Sequence, residues 1–215
     1  MLKRVLFYIS LVLLFSCEKT QVCPDILLGK PEAEILNTQE LGKIESLFVY
    51  NNLKKDNLRF TSLFTDQFGN RHAGCYQYVN NLRVFSGDLI YHFGGTGKLY
   101  WLTGTYTDKI EISSIPSLQV EDLKKIYRKS IETDTHYSSS SESIFSGCVI
   151  CELGYYDMNA GTAILTPSWC LAWSIHPYNT DYPKGIINDS NGFVIKYDNG
   201  INPLQQENRL YPPAR

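Results

Sequence analysis

The sequence predicts an α+β protein in two similar halves, each laying one helix on a curled antiparallel sheet. Three observations carry this. Apolar residues recur at helical spacing from Leu41 to Phe48 and again from Val120 to Ile131. Runs rich in Tyr, Val, Ile, Phe and Trp follow each of these stretches, cut at short intervals by Gly, Asn and Asp. With 43% apolar residues, the 215-residue chain has the material for a core.

The N-terminal stretch stands apart from that fold. Lys3 and Arg4 precede an uncharged, mostly apolar run from Val5 to Phe15. This run has the length of a signal-peptide core and is too short to span a bilayer. The small residue Ser16 followed by Cys17 resembles a bacterial lipoprotein signal. That resemblance implies removal of residues 1–16, diacylation of Cys17 and a membrane-anchored chain in the cell envelope, on its periplasmic or outer-membrane face. The other reading is an ordinary secretory signal. Two acyl chains suffice for a stable anchor, at ~0.8 kcal/mol per buried methylene. Losing Lys3 and Arg4 takes 20 basic residues to 18, against 22 acidic ones, or about −4. A mildly acidic chain without a basic stripe argues against a nucleic-acid partner.

Residues 17–36, with Pro24, Gly29 and Pro31, read as a tether. A helix then follows, with Leu41, Ile44, Leu47 and Phe48 on one face, Thr38 as N-cap and Asn51-Asn52 at its end. Strands are expected on both sides of Asp66-Gln67-Phe68-Gly69-Asn70, because these residues form turns. Asn80-Asn81 reads as a two-residue hairpin loop that sets Tyr76 opposite Phe85 and Tyr78 opposite Arg83. Gly94 to Gly97 makes the next turn. A second helix starts after Pro116-Ser117, and a Ser-rich loop spans Ser138 to Ser143. Strands are expected again over Cys148–Met158, Thr162–Ile175 and Lys184–Gly200, with Pro167 at a bulge or edge and Asp189 in a turn. Residues 202–215 form a polar tail.

Residues 76–106 resemble the propeptide module of thermolysin-like and fungalysin-like metallopeptidases. The resemblance rests on Gln77, Asn80, Val84, Gly87, Asp88 and Leu89, with Asn81, Arg83 and Ser86 departing from that pattern. The stretch from Pro116 to Ile201 is similar to the PepSY module that follows in those propeptides. The resemblance implies two cystatin-like or PepSY-like halves, 37–112 and 113–201. It further implies a module that assists or blocks a peptidase and breaks no bond itself.

The sequence motifs agree with a non-catalytic reading. No histidine is followed by Glu, and none has another histidine four residues away, so the zincin pattern is missing. Leu99 stands where a phosphate loop after Gly94-Gly95-Thr96-Gly97-Lys98 needs Ser or Thr. Five cysteines remain beyond Cys17, an odd number, with Cys23 the candidate for the unpaired one. Among Cys148, Cys151 and Cys170 the expected arrangement is a cross-strand disulfide of Cys170 with Cys148 or Cys151. Free thiols, and metal or redox chemistry, stay open beside it. Asp157-Met158-Asn159-Ala160-Gly161 reads as a turn and not a calcium loop. No cofactor and no metal are expected. The candidate binding surface is Tyr76, Tyr78, Phe85, Tyr91 and Trp101, with a protein partner, and a peptidase first among them. A glycan-binding or purely structural envelope lipoprotein is the alternative.

Overall fold

A computed structural model of the chain describes residues 36–134, 148–178 and 180–201. The expected signal peptide, most of the tether, the lipid site Cys17, the Ser-rich loop and the tail lie outside the described residues. Among those described, no helix is long and apolar enough to cross a membrane.

The fold is α+β. Helices α1 (Thr38–Tyr50) and α2 (Val120–Thr133) lie on one large curled sheet. Its strands are β1 (Leu58–Thr65), β2 (Arg71–Val79), β3 (Leu82–Val84), β4 (Leu89–Phe93), β5 (Leu99–Thr103), β6 (Val149–Asp157), β7 (Trp169–Pro177), β8 (Lys184–Asn188) and β9 (Val194–Asp198). The order is β5-β4-β2-β3-β6-β7-β8-β9, and β1 pairs with β2 outside this path. Within each half the strands that carry the helix pair antiparallel, as expected. A short parallel pairing, Arg83 with Gly154 and Val84 with Tyr155, fuses the two sheets into a mixed one.

Two cores nevertheless persist. Ile44, Leu47 and Phe48 of α1 pack on Phe60, Ala73, Cys75, Leu89, Tyr91 and Phe93. Leu123, Tyr127 and Ile131 of α2 pack on Leu153, Tyr155, Trp173, Ile175 and Ile187. Val79, Leu82, Val84 and Ile110 join this second core, although they precede α2 in the chain. Because strand side chains alternate, the residues between these core positions form the opposite sheet face, away from both helices. Glu152, Gly154, Tyr156, Lys184, Ile186 and Lys196 belong to that face.

Local chemistry explains most of the element boundaries. Asn37, and not Thr38, caps α1: its side chain accepts the Glu40 N–H while Glu40 reaches back to the Asn37 N–H. Asp66 closes the β1–β2 turn by accepting from Phe68 N–H and Asn70 N–H, each at 2.9 Å. Asn80 and Asn81 adopt φ of 51° and 63°, the left-handed geometry that a two-residue hairpin loop demands. Pro167 lies outside β7, which begins only at Trp169, so the strand is shorter than its apolar run implied.

Candidate functional site

A cleft of about 490 Å³ opens on the helix-free face where β3 meets β6. Arg83, Phe85, Ser86 and Asp88 line it from the first half; Tyr156, Lys184, Ile186, Lys196 and Asp198 line it from the second. Its volume falls within the usual range for ligand sites.

The backbone is arranged to bring these groups together. A Cβ on Gly154 would stand 2.4 Å from the Arg83 carbonyl oxygen and 2.6 Å from the Phe85 ring, so only glycine lets β3 approach β6 this closely. Ser86 Oγ accepts the Asp157 N–H at 2.9 Å and ties the loop after β3 to the end of β6. On the far wall, the Tyr127 hydroxyl of α2 donates to the Pro183 carbonyl, which fixes the residue before Lys184. Gly185 leaves room for the Tyr127 ring beside it.

Two cations line this cleft, Arg83 from β3 and Lys184 from β8. The Arg83 guanidinium stacks 3.4 Å from the centroid of the Tyr76 ring, donates to Asp88 Oδ1 at 3.4 Å and stands 3.9 Å from Glu152 Oε2. Its charge is thus already engaged. Lys184 differs, because its side-chain ammonium makes no hydrogen bond or ion pair with a described residue. Burial pushes its amine below the usual lysine range, and the nearby Arg83 adds to this, while Glu152, Asp88 and Asp181 pull the other way. A half-buried ammonium near a guanidinium, with no bonded carboxylate among the described residues, leaves room for an anion.

The five expected surface aromatics separate. Phe85 lines the cleft, and Tyr76 lies beneath Arg83, so both belong to the site. Tyr78 does face Arg83 in register, but it is only 5% exposed. Tyr91 is 4% exposed, with its ring 4.7 Å from that of Phe48 in the first core. Neither offers a docking surface, because β2 and β4 turn these side chains into packing. Phe85 is not paired with Tyr76 either; its N–H bonds the Tyr155 carbonyl, and Tyr76 stands opposite Arg59. Trp101 is 63% exposed on the edge strand β5, away from the cleft.

The cysteine expectation also changes. Cys148 is disulfide-bonded, whereas Cys75, Cys151 and Cys170 are free thiols. The register explains why Cys170 pairs with neither Cys148 nor Cys151. Cys170 stands opposite Tyr156, five residues beyond Cys151, a separation of roughly 17 Å along the strand. Burial pushes the Cys75 thiol up to about 12, with Asp88 adding to it, and the Cys151 thiol up to about 11. Both are poor nucleophiles.

Lys184 and Lys196 escaped the sequence reading. Their strands were legible, but the seam opposite Arg83 depends on a parallel pairing between segments some 70 residues apart, which no local signal marks.

No protein-family model matches the chain, and no curated protein matches it. Among solved structures it is similar to the Bacillus megaterium YpeB C-terminal domain, at 10% identity and a TM-score of 0.38, over 80% of this chain and 71% of that one. A likeness this loose transfers neither a fold nor a role.

Proposed function

We propose that this chain is a non-enzymatic binding module of the bacterial cell envelope, lipid-anchored through Cys17, that receives a carboxylate-bearing segment of a protein partner in the seam cleft. One observation carries the reading: Lys184 lines the cleft with Arg83, and its ammonium has no bonded carboxylate among the described residues. A partner's Asp, Glu or C-terminal carboxylate would supply it, forming charge-assisted hydrogen bonds in a partly desolvated setting. The resemblance to peptidase propeptides makes a secreted peptidase the first partner class to try. Binding of this kind needs no bond-breaking group.

The test is a peptide array probed with the full-length chain, using acidic peptides and matched peptides with Asn and Gln in place of Asp and Glu. Binding should follow the acidic peptides. Lys184→Gln should weaken it by about 2 kcal/mol, roughly thirty-fold. Binding indifferent to peptide charge, or unchanged in Lys184→Gln, would reject the proposal.

A further inference from the structure

On the same helix-free face, but in the first half, a second polar constellation stands apart from the cleft. The register sets Phe64, His72, His92 and Trp101 side by side on β1, β2, β4 and β5. The two imidazoles meet nitrogen to nitrogen, with His72 Nδ1 2.7 Å from His92 Nδ1. Their other nitrogens are each held by an oxygen. His72 Nε2 is 3.3 Å from Asp66 Oδ2, and His92 Nε2 is 2.9 Å from Thr103 Oγ1.

Proton placement follows from these partners. The Asp66 carboxylate accepts the Phe68 N–H and the Asn70 N–H, each at 2.9 Å, and the Asn70 side-chain amide at 3.0 Å. An ionised carboxylate only accepts, so a proton sits on His72 Nε2, and in the neutral ring the Nδ1 lone pair faces His92. His92 answers with its Nδ1 proton and accepts the Thr103 hydroxyl at Nε2. Thr103 is free to reverse from donor to acceptor. The His92 proton then moves from Nδ1 to Nε2, and two lone pairs converge on one point with no proton lost from the site.

We propose that His72 and His92 form a two-histidine site for a borderline divalent metal ion of the Zn²⁺, Cu²⁺ or Ni²⁺ class, ligated through both Nδ1 atoms. Tetrahedral zinc holds its nitrogen ligands about 3.3 Å apart, so slight ring rotation accommodates the ion. The Asp66–His72 contact is the carboxylate–histidine support that metal-ligating imidazoles use. Phe64, stacked on His72 with centroids 4.6 Å apart, and Tyr100, 6.1 Å from His92, wall the site. Among the described residues no third His, Cys, Asp or Glu converges with the pair. The remaining coordination positions are therefore open to water or to a donor from another molecule.

Titration of the full-length chain with Zn²⁺ alone, followed by imidazole nitrogen NMR, tests this. The Nδ1 signals of His72 and His92 should shift together at one-to-one stoichiometry, while His176 stays in place. His92→Gln and His72→Gln should each abolish the shift of the remaining partner, and Asp66→Asn should weaken binding about 10–100-fold. No shift at millimolar Zn²⁺, or unaltered binding in His92→Gln, would overturn the assignment. The wild-type spectrum decides the question even if a variant folds poorly.

Discussion

Helix α1 begins with a reciprocal cap between Asn37 and Glu40 and sets Phe48 among the rings of Phe60, Tyr91 and Phe93. Helix α2 begins at Gln119 with no side-chain cap and is fastened from a distance. The buried Asp189 carboxylate accepts Ser117 N–H at 2.7 Å, Leu118 N–H at 3.0 Å and the Trp173 indole N–H at 2.8 Å, so a strand end pins the chain entering the helix. One helix is secured by its own neighbours in sequence, the other by a residue about 70 positions away. This difference locates where each half is vulnerable.

The largest expected effect is at the aromatic cluster. Phe48→Ala should destabilise the protein by about 4 kcal/mol, since it empties a fully buried aromatic site. Hydrogen exchange should show protection lost first in α1, β1 and β4 and retained in β6 to β8. Asp189→Ala comes next, at about 3 kcal/mol, because three N–H donors lose a buried acceptor. Here the loss should be centred on α2 and β7. If both variants open both halves alike, the contrast between two separately secured cores fails.

Gly154→Ala attacks the seam between the halves and should cost about 2 kcal/mol, as the strands cannot approach past a Cβ. The cleft should loosen with it, so acidic-peptide binding should fall in the same variant. Smaller effects sharpen the comparison of the helix starts. Asn37→Ala should cost about 1 kcal/mol, whereas Gln119→Asp should gain roughly 0.5–1 kcal/mol by adding the missing cap. Equal responses at the two positions, read by chemical denaturation, would contradict the assigned capping.

The smallest effect is one of pH. Asp66 has a folded-state pKa of about 2 against an ordinary 3.8, so its stabilising contribution is complete above 3.8 and is lost as pH falls toward 2. Asp66→Asn should flatten that part of the acid-unfolding curve.

What the sequence disclosed follows the same divide between local and distant. The helix faces, the Asp66 turn, the Asn80-Asn81 loop and the hairpin after Lys184 rest on neighbours within a few residues, and the structure has them all. The cap at Asn37 was one residue off, because Asn and Thr are both good caps and only geometry chooses. Burial of Tyr78 and Tyr91, the free thiols of Cys151 and Cys170, the parallel β3–β6 junction and the meeting of His72 with His92 each depend on which strands become neighbours. Nothing in the spacing of four histidines shows that residues 72 and 92 share a cross-strand row. Likewise Lys184 becomes a site residue only because Arg83 arrives beside it across the seam.

Lys184 is therefore the place to measure. With the lysine side-chain carbons labelled, NMR titration of the full-length chain follows its pKa with and without an acidic peptide selected from the array. The account predicts a depressed value in the free protein that rises when the peptide binds, together with a shift of the Lys184 signal that the Asn- and Gln-substituted peptide does not cause. An ordinary lysine pKa in the free protein, or a Lys184 signal unmoved by a bound acidic peptide, would contradict it.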